Sequence, residues 1–325
     1  MINKKILLSG IKPTGRPHIG NYFGALKQWV KLQEDYNSFI FIPDYHALTT
    51  VQNDADMRSF SLDLAIDLLA IGLDPNKVTL FKQSDVPEVT ELTWIFNCLT
   101  TMPYLMRAHA FKDAEAKNKD INIGIFDYPI LMAADILIQD ANLVPVGQDQ
   151  KQHVEYARDI AEKFNRVFGE TFILPESYIL DDVAIVPGID GHKMSKSYNN
   201  HIPLFSEDAE VKSLVSKIVT DSKTPTETKD PKTDNIFALH KLFSPEQELR
   251  EIENRYKKGE IGYKESKDIL SQNIIDFITP LREKRQEIVK NTDYVKDILK
   301  SGGKIARARA TSKMEIVKQK TGLLF

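Results

Sequence analysis

The first half of the chain alternates short apolar runs with longer segments in which apolar residues recur at helical spacing. In the first of these helical segments, Phe23, Leu26 and Val30 share one face. Strands that alternate with helices form a parallel sheet, because each helical crossover returns the chain to the same end of the sheet. Ligands of such sheets bind at the carboxyl ends of the strands. We therefore predict an α/β fold with strands at Lys5–Ser9, Ser38–Ile42, Val78–Phe81, Val144–Val146 and Ala184–Val186.

Two stretches depart from this alternation. Residues 88–140 have a mostly helical pattern and are predicted to form an insertion, and from Ser206 onward the apolar spacing predicts four or five helices without strands. Trp29 and Trp94 lie at helical positions and are predicted to be core residues. A length of 325 residues suits one large and one smaller domain. We predict an α/β domain at 1–205 and an all-α domain at 206–325.

The composition excludes several classes of protein. With 42% hydrophobic and 27% charged residues, the chain is neither disordered nor fibrous. Its single cysteine, Cys98, cannot form an intramolecular disulfide or a cysteine-based zinc site, and the histidines have no convincing metal-ligand spacing, so we predict no structural metal. The sequence lacks a signal-peptide core and a membrane span, which predicts a cytoplasmic protein.

The charge is unevenly distributed along the chain. The net charge of −3 excludes a wholly basic surface. The segment Ser301–Phe325, however, carries six lysines and arginines against one glutamate. This cationic end predicts either contact with nucleic-acid phosphates or a solvated amphipathic helix.

A loop rich in glycine and proline, residues 9–21 (SGIKPTGRPHIGN), follows the first predicted strand. Gly10 and Gly20 allow a ligand to approach the backbone, and the helix that begins near Asn21 directs free N–H groups toward the loop. His18 can donate to a phosphate oxygen. The spacing is not that of a P-loop. Alone, the loop predicts either a phosphate site or a structural turn with a capping asparagine.

A second loop, KMSKS at Lys193–Ser197, lies between the glycine-containing segment 188–191 and Tyr198. Two lysines and two serines between flexible flanks are typical of a mobile loop that closes on a polyphosphate. There, lysine neutralises the charge that develops on a leaving group. Most clusters of lysine and serine, however, are solvated basic loops.

Together, Pro17–Asn21 (PHIGN) and Lys193–Ser197 resemble the two signature motifs of class I aminoacyl-tRNA synthetases. Segments 44–49 (DYHALT), 128–137 (YPILMAADIL) and 144–153 (VPVGQDQKQH) are similar to the bacterial-type tryptophanyl-tRNA synthetases. The resemblance covers almost the whole chain. It implies a nucleotide-binding Rossmann-like sheet, and an anticodon-binding helical domain at 206–325. It further implies ATP-dependent activation of L-tryptophan with Mg²⁺, transfer to tRNA(Trp), and a homodimer formed through the insertion.

The resemblance also implies roles for individual residues. The catalytic residues would be Lys12, His18, Lys193 and Lys196. The ATP site would comprise Lys12, Pro13, Thr14, Gly20, Asn21, Gly147, Gln148, Asp149, Ile185, Lys193, Met194, Ser195, Lys196 and Ser197. Tryptophan would contact Leu8, Gly10, His46, Tyr128, Met132, Asp135 and Gln150, with Asp135 accepting a hydrogen bond from the indole N–H. Lys12 stands where relatives commonly have glutamine, and Leu8 where some have an aromatic residue.

Alternatives stay open at this point. Tyrosyl-tRNA synthetases share the fold and the signatures, although the Met-Ala-Ala-Asp segment and residues 147–150 favour tryptophan. A small-molecule adenylyltransferase with an HxGN-type loop would need neither KMSKS nor the C-terminal helices. A synthetase-like paralogue that only binds RNA is a further alternative, although both signatures are intact in this chain. Asp135 could merely cap a helix or pair with a basic neighbour.

Overall fold

The computed structural model describes residues 4–108, 111–112, 115, 121–147, 151–179 and 186–324. The chain divides into two compact units. The first comprises the described residues within 1–15, 28–182 and 291–325, and the second those within 16–27 and 183–290. These interleaved units differ from the single boundary at residue 205 that the sequence predicts.

The described part of the first unit contains a parallel five-stranded sheet with the order β3-β2-β1-β4-β5. The register places Leu8 beside Phe39 and Phe39 beside Thr79. The predicted α/β fold is confirmed, and four of the predicted strands are found within about one residue of their expected bounds. The strands are β1 (Ile6–Gly10), β2 (Asn37–Ile42), β3 (Val78–Lys82), β4 (Leu143–Val146) and β5 (Glu176–Ile179).

The predicted strand at 184–186 lies mostly outside the described residues, since only Val186 is described and it is not part of a strand. The described sheet has its fifth strand at β5, which the sequence analysis missed. This strand lies at an edge of the sheet, where Glu176 and Tyr178 are exposed. An edge strand that faces solvent lacks the continuous apolar run by which a buried strand is recognised.

The described chain contains thirteen α-helices. Helices α1 and α9–α12 lie in the second unit, and the others lie in the first unit, except that α2 begins one residue before it. A π-helical segment, Tyr22–Leu26, separates α1 from α2. The helices are α1 (Ile19–Asn21), α2 (Lys27–Leu32), α3 (Asp44–Ala47), α4 (Asp54–Ala70), α5 (Glu88–Leu99), α6 (Met102–Leu105), α7 (Ile123–Ile138), α8 (Lys151–Phe168), α9 (Asp208–Ser216), α10 (Asn235–Phe243), α11 (Glu246–Lys258), α12 (Tyr263–Val289) and α13 (Thr292–Thr321).

The core of the first unit lies between the sheet and helices α5, α7, α8 and α13. Phe164 packs edge to face against Phe96 and Phe172. The predicted insertion is helical, since α5, α6 and α7 lie within it. Trp29 is buried as predicted, but the prediction for Trp94 is wrong, because its side chain is 71% exposed.

Helix α13 returns the end of the chain to the first unit, where it packs along β3. A Cβ on Gly302 would lie 2.0 Å from the carbonyl oxygen of Leu80, so only glycine permits this close approach. The helix thereby covers an edge of the sheet. The five described helices after residue 206 agree with the predicted number, but the last of them belongs to the first unit.

The second unit is helical and has its own core. Phe237, Ile252, Tyr256 and Ile261 are buried together. None of the helices described in either unit is long and apolar enough to cross a membrane.

Candidate active site

A first group of candidate site residues lies in the first unit, where β2 leads into α3 and β3 leads into a 3-10 turn (Gln83–Asp85). Helix α7 presents Asp135, which is 5% exposed. His46 Nε2 lies 3.0 Å from Asp135 Oδ2, and Gln83 Nε2 donates to both carboxylate oxygens. Burial raises the pKa of Asp135, and these hydrogen bonds from His46 and Gln83 oppose that rise. The result is a buried acceptor held by two side chains.

Aromatic groups border this carboxylate. The rings of His46 and Tyr128 meet edge to face at 6.1 Å, and the Tyr128 hydroxyl lies 3.1 Å from His153 Nε2. Met132 is partly buried and packs against the core of the unit. Six residues predicted for tryptophan or for its neighbourhood lie in this unit as described: Leu8, Gly10, His46, Tyr128, Met132 and Asp135.

Leu8 has a different environment from the one expected of a residue that stacks on a ring. It is 2% exposed within the core of the sheet. Together with Phe41, Gln83 and Asp135 it borders a cavity of about 10 Å³, which has room for about one water molecule. Leu8 is therefore a core residue that borders the same small cavity as Asp135.

The Gly/Pro loop begins in the first unit with Gly10. A Cβ at Gly10 would lie 2.8 Å from the carbonyl oxygen of Phe41, so the packing of β1 on β2 requires this glycine. The packing of β1 on β2 thus explains why residue 10 is a glycine, without the predicted approach of a ligand. Beyond it, the Thr14 N–H donates to the Lys12 carbonyl, Pro13 is buried, and the Lys12 side chain is exposed.

The rest of that loop lies in the second unit, where His18 caps α1. The His18 Nδ1 accepts from the Asn21 backbone N–H at 3.3 Å, and the backbone N–H of His18 donates to Asn21 Oδ1 at 3.0 Å. Burial lowers the pKa of His18 to about 4, with smaller effects of His201 and Lys196 in the same direction. His18 is therefore neutral at pH 7, and its proton lies on Nε2 because Nδ1 is an acceptor.

The lysine loop also lies in the second unit, and it contacts the first signature motif. A Cβ on Gly20 would come within 3.3 Å of Met194 Cβ and within 2.9 Å of the His18 ring. The Met194 side chain is buried, while Lys193 is exposed and Lys196 is partly exposed. Because the charge of Lys196 lowers the pKa of His18, the two signatures form one electrostatic cluster within this unit.

Asn200 fixes the shape of the lysine loop. Its Oδ1 accepts from the Ser195 N–H at 2.7 Å, and its Nδ2 donates to the Lys193 carbonyl at 3.1 Å and to Asp190 at 2.7 Å. Within the loop, the Oγ atoms of Ser195 and Ser197 lie 2.8 Å apart. The sequence analysis did not identify Asn200, whose only signal is its position next to the motif.

Some predicted site residues cannot be placed. Gln148, Asp149, Gln150 and Ile185 lie outside the described residues, and Gly147, at the end of β4, is half-buried. In the described ranges, no group of three or more histidine, cysteine, aspartate or glutamate residues is arranged to bind a metal ion. Sequence reasoning also missed Gln83, although its place directly after β3 at the carboxyl end of the sheet is a signal for ligand sites.

The cationic end of the chain makes contacts within the first unit. Arg307 pairs with Glu88 at 2.9 Å, Lys313 with Asp140 at 2.7 Å and Lys318 with Glu91 at 2.8 Å. Arg309 donates to the carbonyl of Gln139 at 3.1 Å. Much of the charge that the sequence analysis assigned to nucleic-acid contact therefore holds α13 to the rest of its unit.

A parallel sheet whose first strand leads into a PHIGN loop, together with a KMSKS loop, defines a class I aminoacyl-tRNA synthetase. A family model described as "tRNA synthetases class I (W and Y)" matches residues 3–279. The tryptophan–tRNA ligase of Rhodopirellula baltica is 49% identical over 317 residues, which cover 98% of this chain and 99% of the relative. That of Fusobacterium nucleatum is 49% identical over 318 residues, which cover 98% of each chain.

Solved structures agree with these relatives. The crystal structure of tryptophanyl-tRNA synthetase from Campylobacter jejuni, complexed with ADP and tryptophan, is 45% identical with a TM-score of 0.91. The match covers 98% of this chain and 99% of that one. The chain belongs to the tryptophan–tRNA ligase family of class I aminoacyl-tRNA synthetases.

Proposed function

We propose that this chain activates L-tryptophan with ATP and transfers the product to tRNA(Trp). In the first step, the amino-acid carboxylate attacks the α-phosphorus of ATP. A new carboxyl–phosphate bond forms, the bond to the bridging oxygen breaks, and pyrophosphate leaves. In the second step, the 3′-terminal adenosine of the tRNA takes the tryptophanyl group and AMP leaves. The place of action would be the cytoplasm.

The observation that supports tryptophan is the buried carboxylate of Asp135, which hydrogen bonds hold in place. A carboxylate only accepts hydrogen bonds, so it can pair with the indole N–H. Phenylalanine has no donor and would leave one acceptor position of this buried, charged carboxylate unfilled, whereas an unfilled neutral group already costs about 1–3 kcal/mol. Sites built on such a bond can reject the analogue that lacks it by about 10⁴–10⁵-fold.

The second unit would supply the groups that act on phosphate. Neutral His18 has one N–H, on Nε2, with which it can donate to a phosphate oxygen. Lys193 and Lys196 would neutralise the charge that develops on the leaving pyrophosphate. This reaction needs positioning and charge stabilisation, and it needs no covalent intermediate on the enzyme.

The remaining predicted nucleotide contacts stay proposals. Lys12, an exposed cation of the Gly/Pro loop, would bind a phosphate of ATP. Residues 147–150 and 185 would bind the ribose and the adenine. Mg²⁺ would enter with ATP, since this ion keeps its waters and binds mainly through substrate phosphates. Chelation by EDTA should then abolish activation, and added Mg²⁺ should restore it.

The chain is proposed to form a homodimer through the insertion. The described part of the insertion exposes several large apolar side chains, which a second copy could cover: Trp94, Met102, Met106 and Ile123. Sedimentation should give twice the mass of the chain. A monomeric mass at micromolar concentration would contradict the proposed dimer.

The tRNA would contact the cations that α13 leaves exposed. Lys296, Lys300 and Lys304 line a groove of about 450 Å³, beside Lys82 and Arg307. These side chains would bind phosphates. Such binding weakens as the salt concentration rises, because the release of counterions from the nucleic acid then becomes less favourable. The anticodon-binding role of residues 206–325 stays a prediction of the family resemblance.

The experiment that tests the proposed function is amino-acid-dependent exchange between ATP and pyrophosphate, run with each of the twenty amino acids. We expect exchange with tryptophan alone at micromolar amino acid. Exchange with tyrosine instead would assign the chain to the sister family. Absence of exchange with all twenty would indicate an adenylyltransferase for another small molecule or a binding protein.

A further inference from the structure

We infer that Gln83 is a positioning residue for tryptophan recognition, because it fixes the carboxylate of Asp135 as the acceptor for the indole N–H. The inference rests on the proposed function. It concerns a residue that the sequence analysis did not identify. All the contacts of Gln83 described below lie within the first unit.

Gln83 holds the carboxylate at both oxygens. Its Nε2 lies 2.9 Å from Asp135 Oδ1 and 2.8 Å from Oδ2, and the side chain is 1% exposed. One nitrogen that spans both oxygens restricts rotation of the carboxylate about χ2, a torsion that is otherwise broad for aspartate. Because Gln83 donates to both oxygens at a buried site, its removal leaves the carboxylate less well held.

The orientation of the Gln83 amide is itself determined. Its Oε1 accepts from the backbone N–H of His46 at 3.3 Å, so the NH₂ group faces Asp135. A flipped amide would place two acceptors against each other at the carboxylate and two donors at His46. The same short helix, α3, therefore orients Gln83 through its backbone and Asp135 through the His46 ring.

A second contact fixes the turn that carries Gln83. The next residue, Ser84, donates through its backbone N–H at 2.9 Å and through its hydroxyl at 2.5 Å to the Asp44 carboxylate. Asp44 begins α3, so the turn after β3 and the helix after β2 are joined twice. Sites on such supported elements keep their geometry better than sites on free loops.

The hydrogen bonds from Gln83 and His46 limit how many further hydrogen bonds the Asp135 carboxylate can accept. A carboxylate has about four acceptor positions. Gln83 and His46 make three contacts with it. As far as the described residues are concerned, one position is left, which matches the single N–H of an indole. Gln83 is uncharged, so it holds the carboxylate without neutralising the charge that strengthens the bond to the substrate.

The test compares tryptophan with β-(3-benzothienyl)alanine, in which sulfur replaces the indole N–H at nearly the same size. The ratio of the two kcat/KM values in pyrophosphate exchange measures the hydrogen bond to the indole. The variant is Gln83→Met, which keeps the volume and removes both polar groups. The matched control is Gln33→Met, because Gln33 is also buried in the first unit but bonds only backbone, at Gly72 and Asp74.

We expect Gln83→Met to reduce the ratio about tenfold, the loss typical of a hydrogen bond to a charged group, with most of the change in the KM for tryptophan. Gln33→Met should keep the wild-type ratio even where it lowers stability. Gln83→Asn, which withdraws the amide by one methylene, should lower the ratio too, and it replaces Gln83→Met if that variant does not fold.

A ratio within twofold of wild type in a folded Gln83 variant would overturn the inference. An equal fall in Gln33→Met would overturn it as well, since general loosening of the unit would then explain the effect. The wild-type arm tests the proposed function separately. If the wild type activates tryptophan but the ratio never changes, only the role of Gln83 is refuted.

Discussion

Asp135→Asn tests the basis of amino-acid selection with a change that conserves shape. The variant removes the charge and replaces one acceptor oxygen by an NH₂ donor. Gln83 and His46 already direct donors at this side chain, and the proposed indole N–H would be a third. The amide oxygen of the introduced asparagine accepts about two hydrogen bonds, so one of these three donors would face the NH₂ group of the asparagine instead of an acceptor.

The expected loss follows from these contacts. An unpaired buried donor costs about 1–3 kcal/mol, and exchanging a charged for a neutral acceptor costs about 1 kcal/mol more. The sum of about 2–4 kcal/mol corresponds to a fall of about 30- to 1,000-fold in kcat/KM for tryptophan. For phenylalanine, which makes no such bond, we expect a change of less than about threefold.

The assay is pyrophosphate exchange with tryptophan, phenylalanine and tyrosine on the wild type and on Asp135→Asn. Thermal unfolding serves as the control. Burial raises the pKa of Asp135, so the folded state binds this proton more tightly than the unfolded state. Stability from this group therefore falls as pH rises from about 4 through the raised pKa, and the asparagine variant should be at least as stable as wild type at pH 7.

A fall of less than threefold for tryptophan would refute the reasoning. So would an equal loss for all three amino acids, because Asp135 would then support the fold or the ATP site. The pH profile adds an independent check. As the pH is lowered, tryptophan activation by the wild type should begin to decline at a pH higher than the usual aspartate pKa of about 3.9. The Asp135→Asn variant should not show this decline.

Three further predictions concern other parts of the chain. Lys196→Ala should lower kcat for adenylate formation about 10²–10³-fold with little change in tryptophan affinity, and an equal loss of affinity in equilibrium binding would contradict its role. His240 is buried, and burial lowers its pKa to about 4. The free energy of unfolding should therefore fall by about 3 kcal/mol as the pH falls from 6.5 to 4, because the unfolded state binds the proton more tightly. Urea unfolding of His240→Gln should show a smaller fall over this pH range, and a fall equal to that of the wild type would contradict the prediction. Lys300→Ala with Lys304→Ala should weaken tRNA charging in a salt-sensitive way while pyrophosphate exchange stays at the wild-type rate, and loss of both activities would indicate a folding role instead.

The sequence predicts the fold well where burial leaves a continuous pattern. Central strands such as Phe39–Ile42 have apolar residues on both faces, because helices cover both sides of a parallel sheet. The edge strand β5 has no such run, and the sequence analysis missed it. Trp94 shows the same limit, since helical spacing does not say which face a neighbouring element covers.

The site was predictable only in part, for a related reason. Motif residues such as His18 and Lys196 are recognisable by spacing, and the structure brings them into one cluster. Gln83 and Asn200 act by holding other residues, and an uncharged amide carries no spacing signal of its own. The charge count of α13 was correct, but only the fold shows that Arg307 and Lys313 are paired within their unit.

The most direct test of the central claim is transfer to tRNA. Radiolabelled tryptophan or tyrosine, ATP and Mg²⁺ are incubated with the protein and a tRNA(Trp) transcript that ends in CCA, and acid-precipitable label is counted. We predict that tryptophan is attached to the 3′-terminal adenosine and that tyrosine is not. Attachment of tyrosine, or formation of tryptophanyl-adenylate without transfer to the tRNA, would contradict the account.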